Sequence, residues 1–234
     1  MKKIVIYLLP LVILSFLFTA CLTNDSESNE NPVLAKGGRY YKGVLRINEN
    51  EYIRSLFPPS IVDVYSYRVA TQIYEGLFKF DSKTLNVIHS IAQSHQVDTT
   101  RTVYTVKLNK GVFFHDDACF ANGKGRELTA VDVKNCIEYA CTQDRNNQAY
   151  HILEDARIKG VKAYYDASKD ENKPSTGLEG IKVIDKYTIQ FILDEPNSLF
   201  LYTLARPELF IYPKEAYEKY GVDVRSLRYP GIIS

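Results

Sequence analysis

The stretch from Gln72 to Lys134 constrains the fold most strongly, because several local signals follow one another there. Tyr104 to Leu108 alternates apolar and polar residues, which is the pattern of a half-buried strand. Asn109-Lys110-Gly111 predicts a tight turn, and Val112-Phe113-Phe114 predicts a returning strand. Thr129-Ala130-Val131-Asp132 supplies the hydroxyl and the carboxylate of an N-terminal helix cap. The stretch therefore predicts a mixed α/β arrangement of two strands and a capped helix.

A helix is predicted just before this stretch. Its apolar residues recur every four positions and indicate one buried face: Val69, Ile73 and Leu77. Asp63 or Ser66 can cap its start by accepting hydrogen bonds from free backbone amides. Gly76 suits its end, where a left-handed residue is needed.

Later segments continue the α/β pattern. Ile181–Ile184 and Tyr187–Leu193 predict a hairpin in which Asp185-Lys186 is the two-residue turn. A short helix is predicted from Leu199 to Ala205, with Ser198 as its cap. The second predicted helix, which follows Thr129, should bury Val133, Ile137 and Ala140.

The order of these segments resembles the extracellular solute-binding proteins of peptide and nickel ABC importers. The resemblance is carried by separate blocks at compatible spacing: Gln72–Leu77, Phe80-Asp81, Tyr104–Leu108, Gly111–Asp116 and Thr129–Val133. It implies a mixed α/β, two-lobed architecture like that of type II periplasmic binding proteins. It also implies that His115 packs within the fold, near the strand turn.

Residues 1–20 have the composition of a secretory signal peptide. Lys2 and Lys3 form a positive start, and Ile4 to Phe18 is almost wholly apolar. That apolar run is shorter than the roughly 20 residues that a membrane-spanning helix needs. The alternatives are an uncleaved anchor and an ordinary signal peptide that is followed by a chance cysteine.

Thr19-Ala20-Cys21 resembles the lipobox of bacterial lipoproteins, so Cys21 is predicted to carry a lipid that anchors the protein to the membrane. The polar, breaker-rich residues 21–38 predict a flexible tether. Residues 39–234 are then expected to be the N-terminal portion of a truncated solute-binding domain whose second lobe is largely missing. The resemblance implies a second lobe after this point, but the sequence from about Arg228 onward does not continue it, which suggests a frameshift or a split gene. The chain is therefore expected to bind peptides weakly.

Three further cysteines leave one unpaired if a disulfide forms. Cys136 and Cys141 point to different faces of a predicted helix, and Cys119 could reach either of them. Buried free thiols are slightly favoured over a disulfide.

No pattern in the sequence predicts catalysis, a cofactor or a metal. His115-Asp116-Asp117 and the pair His89 and His95 do not match two-histidine motifs such as H-E-x-x-H. There is no G-x-S-x-G, no phosphate loop and no dinucleotide glycine pattern. The formal charge of +1 gives no electrostatic reason to expect nucleic acid. A hydrolase is therefore a distant third hypothesis.

The resemblance implies that the loop before the first helix lines the ligand cleft. Its residues are Asp63, Val64, Tyr65, Ser66 and Tyr67. In such a cleft an extended peptide pairs with protein backbone as an added strand. The competing interpretation is that Tyr65 and Tyr67 merely pack on the sheet.

The resulting functional prediction is a monomeric, lipid-anchored, extracytoplasmic receptor of the bacterial cell envelope. It would capture oligopeptides and deliver them to the permease of an ABC importer. The alternative is a cell-envelope lipoprotein fragment that binds no peptide.

Overall fold

The computed structural model describes Val33–Leu34, Tyr40–Tyr41, residues 48–169 and residues 174–221. The chain divides into two compact units, residues 1–48 and residues 49–234. In the first unit, β1 (Val33–Leu34) pairs antiparallel with β2 (Tyr40–Tyr41). β1 therefore lies inside the predicted tether. The predicted signal peptide, the rest of the tether and Cys21 lie outside the described residues.

The described part of the second unit contains helices and strands in mixed order. Its α-helices are α1 (Val64–Ile73), α2 (Ala130–Ala140), α3 (Tyr150–Asp155), α4 (Val161–Ala167), α5 (Phe200–Leu204) and α6 (Lys214–Tyr220). Its strands are β3 (Phe78–Phe80), β4 (Val87–His89), β5 (Ala92–Val97), β6 (Val103–Leu108), β7 (Ile181–Asp185) and β8 (Thr188–Ile192). This order confirms the mixed α/β fold class.

The strands of this unit form two sheets. β3 and β4 make an antiparallel pair, and the other sheet has four strands in the order β5-β6-β8-β7. α2 packs against β7 and β8. The largest fully buried side chains of the unit include Phe57, Phe78, Ile137, Ile189, Phe191 and Phe200.

The strand predicted from Tyr104 to Leu108 is confirmed as β6, with Tyr104, Val106 and Leu108 buried on one face. The returning strand predicted for Val112-Phe113-Phe114 is wrong. Both edges of β6 are already occupied by β5 and β8. Phe113 instead makes an isolated bridge with Glu127. The returning segment therefore leaves the sheet.

The predicted hairpin is confirmed, but its turn lies one residue later. Asp185 pairs with Thr188, so the two turn residues are Lys186-Tyr187. The Asp185 carboxylate accepts a hydrogen bond from the Tyr187 amide at 2.8 Å. A bulge between Val183 and Asp185 shifts the register, and the residue pattern alone did not reveal it.

α1 begins as predicted but ends earlier. Its last residue is Ile73, and Tyr74 has extended backbone with φ −121° and ψ 157°. Gly76 does not have the predicted left-handed conformation. Gly76 is instead closely packed, because an added Cβ would lie 3.1 Å from both Phe210 Cδ1 and the Phe78 carbonyl oxygen.

The buried face of α1 also differs from the predicted one. Ser66 and Ala70 are fully buried. Val69 and Ile73 are only half-buried, and Leu77 lies beyond the end of the helix. The helix is one turn shorter than the apolar spacing suggested, and its buried residues are the small side chains of Ser66 and Ala70.

α2 agrees with its prediction. The Asp132 carboxylate accepts hydrogen bonds from the backbone amide and the hydroxyl of Thr129, at 2.8 and 3.0 Å. Val133, Ile137 and Ala140 are buried as expected. α5 differs from its prediction, because its cap is not Ser198. The Asn197 side chain accepts from the amide of Leu199, the residue that precedes the helix, at 2.9 Å.

No helix among residues 48–169 and 174–221 is both long and apolar enough to cross a membrane.

Candidate functional site

The segment predicted to line the ligand cleft, Asp63 to Tyr67, is not a loop. Asp63 is the N-cap of α1, and the other four residues form its first turn. The Asp63 carboxylate accepts from the amides of Tyr65 and Ser66, at 3.1 and 2.8 Å. The Tyr67 amide donates to the Asp63 carbonyl oxygen at 3.0 Å. Because these three amides are already used, they cannot pair with an added strand.

Asp63 is held in its capping role by a small polar network. The Ser66 hydroxyl donates to Asp63 Oδ2 at 2.8 Å and accepts from the Arg54 amide at 3.1 Å. Burial by itself raises the pKa of Asp63, but the hydrogen bonds from Ser66 and Tyr65 outweigh it and hold the pKa below its usual value. Asp63 and Ser66 therefore stabilise the start of α1.

The remaining residues of the segment differ in exposure. Val64 is 59% exposed and Tyr67 is 36% exposed, whereas Tyr65 is half-buried. Val64 and Tyr67 therefore have the most accessible side chains of this segment.

Tyr67 opens onto a groove with a volume of about 220 Å³, which we call the Tyr67 groove. The groove lies between the exposed side of α1, the extended backbone that follows it, and the β3–β4 pair. Side chains that line it include Tyr67, Thr71, Glu75, Lys79, Phe80 and Ser90.

Backbone hydrogen bonds hold the floor of the Tyr67 groove. The Glu75 carbonyl oxygen accepts from the Ile211 amide at 3.0 Å, and the Gly76 carbonyl oxygen accepts from the Ile91 amide at 3.2 Å. Lys79 lies on β3, where it pairs with Ile88 of β4. Neighbouring segments therefore hold the backbone that carries the Glu75 and Lys79 side chains.

The Tyr67 groove carries two opposite charges. The Glu75 carboxylate is exposed and accepts from the Ser90 hydroxyl at 3.1 Å. Lys79 is also exposed, and within the described part of the chain no carboxylate lies within ion-pair distance of it. Phe80 adds an aromatic wall, with its ring centroid 6.1 Å from that of Tyr202.

A second groove, of about 350 Å³, lies between α2 and α6. Its walls are largely aromatic and include Tyr139, Tyr212 and Tyr217, whose rings all contact Phe57. Cys136 also lines this groove, and its thiol donates a hydrogen bond to the Tyr212 carbonyl oxygen. None of the predicted ligand-binding residues lies there, so the Tyr67 groove is the better candidate.

The histidines and carboxylates that suggested other chemistry have structural or exposed positions. His115 is exposed, which is not the packed position that the resemblance implied. Asp116 accepts from the Gly125 amide at 3.0 Å, and Asp117 accepts from the Tyr220 hydroxyl at 2.8 Å. His89 and His95 contact each other. The described residues contain no cluster of three or more His, Cys, Asp or Glu side chains arranged to hold a metal.

The three described cysteines are free thiols, as favoured from the sequence. Burial raises the pKa of Cys136 and Cys141 well above the usual range. Burial, with the nearby Asp117, raises the pKa of Cys119 to about 12. Thiolates are the nucleophilic form, so these side chains are unreactive near neutral pH.

The sequence predicts only part of the Tyr67 groove. The sequence predicts Tyr67 as a cleft residue, and Glu75 lies in a block that carries the resemblance. Lys79 and Ser90 were missed, because they join the groove only through the pairing of β3 with β4. No local pattern around either residue signals that contact.

Solved structures show which fold the described residues belong to. OppA of Listeria monocytogenes, bound to peptide, superposes with a TM-score of 0.63 at 24% identity, over 76% of this chain and 32% of that one. DppA of Helicobacter pylori, in complex with the peptide STSA, superposes with a TM-score of 0.58 at 24% identity, over 74% and 32%. The described fold is therefore part of a periplasmic-binding-protein fold.

Sequence comparison identifies the family. The profile of "Bacterial extracellular solute-binding proteins, family 5 Middle" matches residues 86–225. This chain belongs to family 5 of the bacterial extracellular solute-binding proteins.

Curated relatives are similar over most of this chain. The glutathione-binding protein GsiB of Salmonella choleraesuis (strain SC-B67) is 28% identical over 170 residues, which are 73% of this chain and 27% of that protein. GsiB of Escherichia coli O6:K15:H31 is 26% identical over 206 residues, or 88% and 32%. The chain thus spans about a quarter to a third of the length of the curated relatives it matches.

Proposed function

We propose that this chain captures oligopeptide-like solutes outside the cytoplasm for the permease of an ABC importer. The observation that carries the proposal is the family match over residues 86–225. Two further similarities support the ligand class. Curated relatives are named for glutathione, and solved relatives with this fold contain bound peptides.

The described unit would supply one wall of the ligand cleft. In two-lobed binding proteins, the lobes close about a hinge and present a changed surface to their partner. A ligand held by one wall buries less surface than a ligand enclosed by two. Residues 39–234 by themselves are therefore expected to bind peptides weakly.

Within this wall, we assign ligand contact to the exposed side chains of Val64 and Tyr67. The rest of the predicted segment, Asp63, Tyr65 and Ser66, would position them by starting α1. An aromatic ring beside a groove offers a large apolar contact at a low cost in side-chain entropy.

A thermal-shift screen of the whole chain with short peptides tests this function. A ligand that binds only the folded state raises the melting temperature. A Tyr67→Ala variant should show a smaller rise in melting temperature, because it lacks the aromatic ring of Tyr67 beside the groove. Tyr52→Ala is the matched control, since Tyr52 is 89% exposed and does not line the groove. If no peptide at millimolar concentration raises the melting temperature, the rival proposal of a non-binding envelope protein is supported instead.

We also propose that Cys21 carries a lipid that anchors the protein in the cell envelope. The support is the leader followed by Thr19-Ala20-Cys21. A Cys21→Ala variant should leave the membrane fraction of the bacterial host, because it lacks the acyl chains that hold it there. Cys119→Ala is the matched control and should remain with the membrane. A Cys21→Ala variant that stays bound after a high-salt wash would contradict the anchor.

A further inference from the structure

The size of the Tyr67 groove limits what it can hold. Pockets for whole drug-sized ligands have volumes of about 300–1,000 Å³. The Tyr67 groove, at about 220 Å³, is smaller than this range. It therefore has room for one residue-sized group of a larger ligand, not for an extended peptide.

The charges of the groove indicate which group fits. Glu75 Oε1 accepts from Ser90, and no hydrogen bond within the described part of the chain engages Glu75 Oε2. Lys79, on the adjoining strand, has no carboxylate partner among the described residues. One groove thus offers a free carboxylate oxygen and a free ammonium group.

The side chains around these charges complete the fit. Tyr67 and Phe80 provide aromatic surfaces, and the buried residues Tyr74, Gly76, Ala205 and Phe210 complete the lining. Glu75 and Lys79 project from backbone segments that are hydrogen-bonded to Ile211 and Val87–His89, respectively. The backbone that carries both charges is therefore held by neighbouring segments.

We propose that the Tyr67 groove is a subsite for an α-amino-acid head, a group with an ammonium and a carboxylate on one carbon. Glu75 accepts from the ammonium, Lys79 donates to the carboxylate, and Tyr67 contacts the adjoining carbon chain. This assignment rests on the proposed function, because it names the ligand group that the same wall recognises.

The test is an NMR titration of the whole chain with γ-L-glutamylglycine, which carries such a head. Two derivatives each remove one charge: the N-acetyl form lacks the ammonium, and the α-carboxamide lacks the α-carboxylate. The amides of Gly76 and Ser90 report binding at the groove. Wild-type protein should bind the parent compound about three-fold more tightly than either derivative, which is the scale of an exposed ion pair.

Two variants assign each charge to its partner. Glu75→Gln should bind the parent and the N-acetyl form equally, but should still prefer the parent over the α-carboxamide. Lys79→Met should show the opposite pattern. Glu51→Gln and Lys83→Met are matched controls on exposed residues outside the groove and should behave as wild type.

The outcomes separate the subsite from the function. If both variants keep the wild-type preferences, or if the parent shifts amides elsewhere, the subsite is wrong and the proposed function stands. If the parent causes no shift while other peptides raise the melting temperature, the subsite is again wrong. If neither the parent nor any peptide binds the wild-type chain, the proposed function also fails.

Discussion

At the scale of single residues, Arg126 contacts several side chains of the described unit at once. Its guanidinium donates to both oxygens of Asp132, at 2.9 and 2.6 Å, and to both oxygens of Glu215, at 2.6 and 2.8 Å. It also lies over the Phe114 ring, 5.3 Å from the centroid. Arg126 therefore ties the start of α2 to the first turn of α6.

Replacing Arg126→Lys should destabilise the protein by about 1–3 kcal/mol, because an ammonium group cannot form two bidentate pairs. Asp132 is only 2% exposed and would lose its main charged partner. Urea denaturation measures the loss. Arg157→Lys is the matched control, since its pair with Glu195 is exposed on both sides, and it should change stability by less than about 0.5 kcal/mol. Equal losses in the two variants would contradict this role.

At the scale of elements, local sequence patterns correctly predicted the helices and strands that local interactions determine. β6 follows from strict alternation, and α2 follows from a cap and a buried stripe within one segment. The returning strand at residues 112–114 failed because β8, which is distant in sequence, occupies that edge of β6. The predicted end of α1 is wrong because the helix already ends at Ile73. The close contact of Gly76 with Phe210, which is distant in sequence, is not visible in the local pattern. Part of the Tyr67 groove was not predicted because it also depends on contacts between segments that are distant in sequence.

The joint between the two sheets contains a pair of histidines. His89 Nε2 lies 2.9 Å from His95 Nδ1, and the ring centroids are 5.1 Å apart. Burial, and then the charge of His89, lowers the pKa of His95. One ring can donate to the other only while at least one of them is neutral.

This pair should make stability depend on pH. Because the pKa of folded His95 is below its unfolded value of 6.5, its contribution is present above pH 6.5 and is lost as the pH falls below it. Between pH 7.5 and 5, the melting temperature of the wild type should fall about 1–2 °C more than that of His89→Asn. His151→Asn is the control, since His151 is exposed and distant from the pair. Identical pH profiles for wild type and His89→Asn would contradict the prediction.

At the scale of the whole molecule, the family and the fold are shown, and one wall of a binding cleft is proposed. The family match and the superposed structures support the fold independently of the groove. The resemblance identified from the sequence is confirmed, and so is the fold class that it implied. The groove depends on contacts among α1, β3 and β4, so it emerged only from the structure.

The most direct test of the central claim is a crystal structure of this chain grown with a millimolar excess of a short peptide. We expect peptide density in the Tyr67 groove, with a residue of the peptide between Tyr67, Glu75 and Lys79. Peptide density confined to the groove between α2 and α6 would contradict it, as would the absence of peptide from both grooves.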